Sequence, residues 1–130
     1  MGLDMFLFAK SNNTSQVVPA GEQDFDAKRE VAYWRKANQI HSWFVRNVQH
    51  GVDECQLSPV TRDQLEELRQ TCMQVLSTKD HTLLEPIGGF FFGSTAIDEY
   101  YWEDLRTTID MLDTVLALSE DNEFFYQSSW

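Results

Sequence analysis

The sequence predicts an α+β fold: a small sheet of about three short strands, with three helices packed mainly on one face. Two features of the patterning carry this expectation. Short aromatic-rich segments near both ends of the chain, and again between Gly89 and Gly93, read as strands. Longer segments between them repeat apolar residues at helical spacing. The order is strand, helix, helix, strand, helix, strand, which is α+β. With 130 residues, 42% of them hydrophobic, the chain suits one domain spanning 1–130.

Gly2 to Ala9 reads as the first strand, with Leu3, Met5 and Leu7 on one side and Asp4, Phe6 and Phe8 on the other. Only Asp4 among these is polar, so both faces should be largely covered. The stretch 10–26 is rich in Asn, Ser, Thr and Gln around Pro19 and Gly21, and reads as a mobile loop or excursion.

A helix is expected from about Lys28 to Gln49, stopped by Gly51 in a left-handed cap. Tyr33, Ala37, Ile40, Phe44 and Val48 would form its core stripe. A neighbouring row holds Trp34, Asn38, His41 and Val45. Its amide and imidazole either satisfy themselves on backbone or water, or line a pocket with Trp34. The next helix is the most legible. Thr61-Arg62-Asp63-Gln64 spells a capping box with Val60 and Leu65 as its staple, and Leu65, Leu68, Cys72 and Val75/Leu76 form the buried stripe. Cys72 therefore reads as core.

Gly88-Gly89-Phe90-Phe91-Phe92-Gly93 reads as a short buried strand, after which Ser94 or Thr95 should cap a long helix. Tyr101, Trp102, Leu105, Ile109, Leu112 and Leu116 would face the core, while Glu99, Glu103, Asp110 and Asp113 line the far side with Arg106 among them. Phe124 to Trp130 reads as the final strand.

Net charge is −11, and it is unevenly placed. Residues 80–130 hold Arg106 alone against eleven Asp/Glu, whereas residues 1–79 hold nine Lys/Arg against ten. Such a chain should repel nucleic acid and anionic membranes and suit a basic partner. No apolar run approaches bilayer length, and the first residues lack the pattern of a secretory signal, so cytoplasmic residence is expected. Cys55 and Cys72 cannot form a disulfide framework. His50 to Cys55 matches no zinc spacing, so neither a metal nor another cofactor is expected.

The opening Met1-Gly2-Leu3-Asp4-Met5-Phe6-Leu7, the segment from Val31 to Phe44, the block Gly89-Phe90-Phe91-Phe92-Gly93-Ser94-Thr95 with Asp98-Glu99-Tyr100-Tyr101, and the ending Tyr126-Gln127-Ser128-Ser129-Trp130 resemble a family of small uncharacterised bacteriophage and prophage proteins. The resemblance covers nearly the whole chain outside 10–26. It implies a phage origin, residence in the host cytoplasm and an accessory role, such as binding and inhibiting a host anti-phage defence protein. The acidic residues Glu99, Glu103, Asp110 and Asp113 are the expected partner-binding face, mimicking a phosphate track.

The alternative is a small-molecule binder that sequesters a nucleotide-derived immune signal. Its pocket would comprise Trp34, Asn38, His41, Gly93, Ser94, Tyr101 and Trp130, with charge from Arg35 or Arg46. Catalysis would have to rest on His41 as a base assisted by Ser94 or Tyr101. No nucleophile elbow, phosphate loop or paired metal motif is present, so the reading leans away from an enzyme and assigns no catalytic residue. A homodimer through a free strand edge is also open.

Overall fold

The computed structural model describes residues 2–11, 28–86 and 96–130. The expected excursion falls almost wholly outside them, as does the Gly-Phe block from 87 to 95. The fold is α+β, and the described residues build a sheet of four antiparallel strands rather than about three. Strands β1 (Asp4–Ser11), β2 (Arg29–Arg35), β3 (Ser58–Val60) and β4 (Asn122–Ser129) lie in the order β2-β1-β4-β3.

One face of this sheet carries the core. Met5, Leu7 and Ala9 pair across to Trp34, Ala32 and Arg29 on one side and to Ser128, Tyr126 and Phe124 on the other. All of these but Arg29 are buried, while Phe6, Phe8, Tyr33 and Phe125 project from the opposite face. That face is not bare, because Phe6 stacks beside Phe8 with ring centroids 5.9 Å apart and meets Tyr33 at 5.4 Å.

The largest departure from expectation lies at 28–49. A strand, β2, and the short helix α1 (Asn38–Asn47) replace the single long helix. Lys36, at φ 56, turns the chain between them, and its N–H returns to Leu3 O at 2.7 Å. Tyr33 consequently points outward at 40% exposure instead of joining a core stripe. The physical reason is non-local. β1 offers Asp4 for Arg35 and Phe6 for Tyr33, and this cross-strand pairing outweighs the local helical pattern. Gly51 does adopt a positive φ of 79, but in the turn after α1 rather than as the stop of a long helix.

Helix α2 (Arg62–Thr78) follows its sequence signal closely. Gln64 N donates to Thr61 Oγ1 at 3.1 Å, and Thr61 N donates to Gln64 Oε1 at 2.9 Å, completing the capping box. Leu65, Leu68, Cys72 and Val75 are its buried residues. A short 3-10 turn, His81–Leu84, follows. Helix α3 (Glu99–Leu116) is capped by Asp98 rather than by Ser94 or Thr95, since Asp98 Oδ1 accepts from the N–H groups of Tyr100 and Tyr101. Its C-terminal end is tied down by Arg62, whose guanidinium donates to the carbonyls of Leu116, Leu118 and Ser119. No helix among the described residues is long and apolar enough to cross a membrane.

Candidate functional site

A cleft of about 250 Å³ opens where the end of β2, the start of α1 and the start of α3 meet. Its rim holds two cations and a carboxylate: Arg35 and Lys36 sit on the β2–α1 turn, Asp98 lies at the start of α3, and Arg35 also pairs with Asp4 at 2.8 Å. α1 begins at Asn38 with no side-chain cap at Ala37 and no acidic residue in its first turn. Tyr100, 80% exposed, stands at the mouth, and Tyr101 forms part of the wall. Pro86 and Ala96, which flank the segment outside the description, also line the cleft.

Its floor is polar and largely buried. The Gln39 amide nitrogen lies 3.4 Å from Tyr101 O and 3.3 Å from Asp104 Oδ2. Burial pushes the Asp104 carboxyl up to about 6, with Asp98 and Glu103 adding to the rise and the Gln39 contact opposing it. Thr108, one turn further along α3, accepts from Trp34 Nε1 at 2.8 Å and donates to Asp104 O at 2.7 Å. That buried chain locks the Asp104 turn of α3 against β2.

A second polar cluster lies inside the core. His41 is fully buried; its Nδ1 is 2.6 Å from the Tyr126 hydroxyl and its Nε2 is 3.0 Å from Asp53 Oδ1. Burial lowers the His41 pKa, opposed by Asp53, and raises that of Tyr126 well above the usual phenol value. The ring is therefore neutral near pH 7. Asp53 can only accept, which assigns the imidazole proton to Nε2 and makes Nδ1 the acceptor of the Tyr126 proton. Trp130 Nε1 also donates to Asp53 Oδ1 at 3.1 Å, and Gln127 Nε2 donates to Cys55 O at 3.1 Å. Together these bonds fasten the loop 48–57 to β4. His41 and the Tyr126 ring are sealed from solvent, while Asp53 and Trp130 reach the surface.

The seven residues predicted as one pocket thus separate. Asn38 and Tyr101 line the cleft together. Trp34, read as the helical neighbour of Asn38 and His41, is instead a buried residue of β2 bonded to Thr108. His41 and Trp130 belong to the Asp53 cluster, and Gly93 and Ser94 lie outside the described residues. Sequence reasoning missed Gln39, which the predicted long helix places in mid-helix, and Asp104. The spacing held a signal for Asp104: it lies three residues after Tyr101 and four before Thr108, on the inward row of α3.

The acidic residues of α3 are exposed as expected, yet much of their charge is met locally. Arg106 bridges Glu99 at 2.7 Å and Glu103 at 3.1 Å, and Arg69 of α2 pairs with Asp113 at 2.5 Å. Among the described residues no group of three or more His, Cys, Asp or Glu is arranged to hold a metal ion. Comparison with protein-family models, with curated proteins and with solved structures found no match.

Proposed function

We propose that this is a binding protein whose working site is the cleft at the start of α1, and that it captures a small anionic ligand of the nucleotide class. One observation carries the reading: the two cations Arg35 and Lys36, an exposed aromatic ring and a polar floor converge on one concavity. Arg35 and Lys36 suit a phosphate, and Tyr100 suits the face of a base. The resemblance to phage proteins supplies the setting. The protein would act in the host cytoplasm as an accessory factor, sequestering a nucleotide-derived signal of anti-phage immunity.

Thermal-shift measurements on the full chain against a panel of mono-, di- and cyclic nucleotides test this reading. Stabilisation by at least one member, weakened several-fold in Tyr100→Ala, is the expected result. Tyr100 is exposed enough for that variant to keep the fold. No stabilisation by any member at millimolar concentration overturns the reading.

A second reading rests on a separate observation, the excess of acidic residues over Arg106 in 80–130. In it the face of Glu99, Glu103, Asp110 and Asp113 binds and inhibits a basic host defence protein. The Arg69 and Arg106 ion pairs weaken that face as a continuous phosphate mimic. A stoichiometric complex that weakens with salt and with charge reversal at Asp110 would favour it, and full retention of the partner by that variant would count against it.

A further inference from the structure

Gln39 and Asp104 make the floor of the cleft an acceptor surface. The amide orientation of Gln39 is fixed by chemistry: Tyr101 O is an acceptor only, so the atom 3.4 Å from it is the nitrogen, which also approaches Asp104 Oδ2 at 3.3 Å. This leaves Gln39 Oε1 and Asp104 Oδ1 without a protein donor among the described residues, on two side chains held next to each other in the same cleft. Both side chains are held in place. Gln39 is 3% exposed, and Asp104 is part of the α3 turn that Thr108 bonds to Trp34. Two acceptors on neighbouring side chains of one cleft match a planar group that offers two adjacent N–H donors.

We infer that the cleft is selective, and that the inner end of its ligand is a planar group with paired N–H donors, of which the guanine edge is the nucleotide example. This inference rests on the cleft being the binding site. An adenine presents an acceptor where guanine presents its ring N–H, so it would set one lone pair against another at this floor. Arg35 and Lys36 then take the phosphate at the opposite end. A free guanidinium compound shares the inner chemistry but lacks the charged tail, and titration distinguishes the two sources.

The experiment is isothermal titration of the full chain with GMP, IMP, AMP and methylguanidine, repeated on Asp104→Asn. GMP should bind at least about tenfold more tightly than AMP, with IMP between them because it keeps the ring N–H and lacks the amino group. Asp104→Asn places a donor on the floor and should remove about tenfold or more of the GMP affinity while leaving AMP nearly unchanged. In the wild type, GMP binding should also weaken below about pH 6, as Asp104 takes up a proton beside Asp98, Glu103, Arg35 and Lys36.

Equal binding of GMP, IMP and AMP, unaltered by Asp104→Asn, overturns the selectivity and leaves the cleft reading standing. Methylguanidine binding that is lost in Asp104→Asn, with no nucleotide bound, upholds the paired-donor floor and overturns the nucleotide reading. Silence from all four compounds overturns the paired-donor floor, and the cleft reading is then decided by the wider panel of di- and cyclic nucleotides. The wild-type ligand series decides the matter even if the variant does not fold.

Discussion

Thr108 is a single hydroxyl used in both directions, and its loss should be costly for that reason. It is fully buried, accepts the Trp34 indole N–H and donates to Asp104 O. Thr108→Val keeps the volume but strands the indole donor, so urea unfolding should show a loss of about 2 kcal/mol. Two titratable residues, His41 fully buried and Asp104 partly so, pull stability in opposite directions with pH. His41 has a folded pKa below its ordinary 6.5, so the unfolded chain protonates first and stability falls as pH drops through about 6.5. Asp104 is raised from 3.8 to about 6, so the folded chain takes up its proton first and gains stability between about pH 6 and pH 4. Urea midpoints between pH 7 and pH 5 should therefore fall more steeply in Asp104→Asn than in the wild type. His41→Gln should flatten the fall. A parallel decline in all three proteins would contradict both assignments. Neither burial was readable in the sequence, where Asp104 was one of many acids and His41 was left open between a boundary residue and a pocket wall.

At the scale of elements, caps and cross-element bonds decide where the helices stop. Thr61→Ala removes one half of the α2 capping box and should cost about 1 kcal/mol while leaving the cleft untouched, which makes it a stability control for any cleft variant. Arg62 does more than its place in that box suggests. Its guanidinium holds three carbonyls at the end of α3 and lies 5.2 Å over the Phe124 ring, so α2, α3 and β4 meet on one side chain. Arg62→Met should destabilise by about 2 kcal/mol in denaturant unfolding, twice the effect of losing the cap, and a loss no greater than that of Thr61→Ala would argue against this role. The box was legible because all its parts lie within four residues. The Arg62 bonds were not, because their acceptors lie more than fifty residues away in sequence. The misread segment 28–49 follows the same logic. Its turn is made by Lys36 at a positive φ and α1 starts without a side-chain cap, so neither boundary carries a residue that announces it.

For the whole molecule, a net charge of −11 on a small fold makes self-repulsion a standing cost. Raising ionic strength from about 0.01 M to about 0.15 M shortens the screening length from roughly 30 Å to about 8 Å, and the melting temperature should rise with it. A melting temperature that falls over this range would mean that the Arg69, Arg106 and Arg35 ion pairs outweigh the repulsion. The core itself is assembled from one face of the sheet and the buried stripes of the helices. At its centre the Phe44 and Tyr126 rings stack with centroids 3.8 Å apart. That contact joins α1 to β4 across most of the chain length.

The sequence by itself determined the α+β class, both terminal strands, the α2 capping box and buried stripe, α3 beyond its cap and the acidic excess of the second half. Each depends on periodicity, on residues a few positions apart, or on simple charge. Only the tertiary structure decided that 29–35 is a strand, that Trp34 and His41 are core residues with separate partners, and that Gln39 and Asp104 share the floor of a cleft. Those outcomes depend on which distant groups meet. A backbone donor, a carboxylate or an aromatic ring takes the partner that folding brings to it, and the one-dimensional pattern records the group without recording the partner.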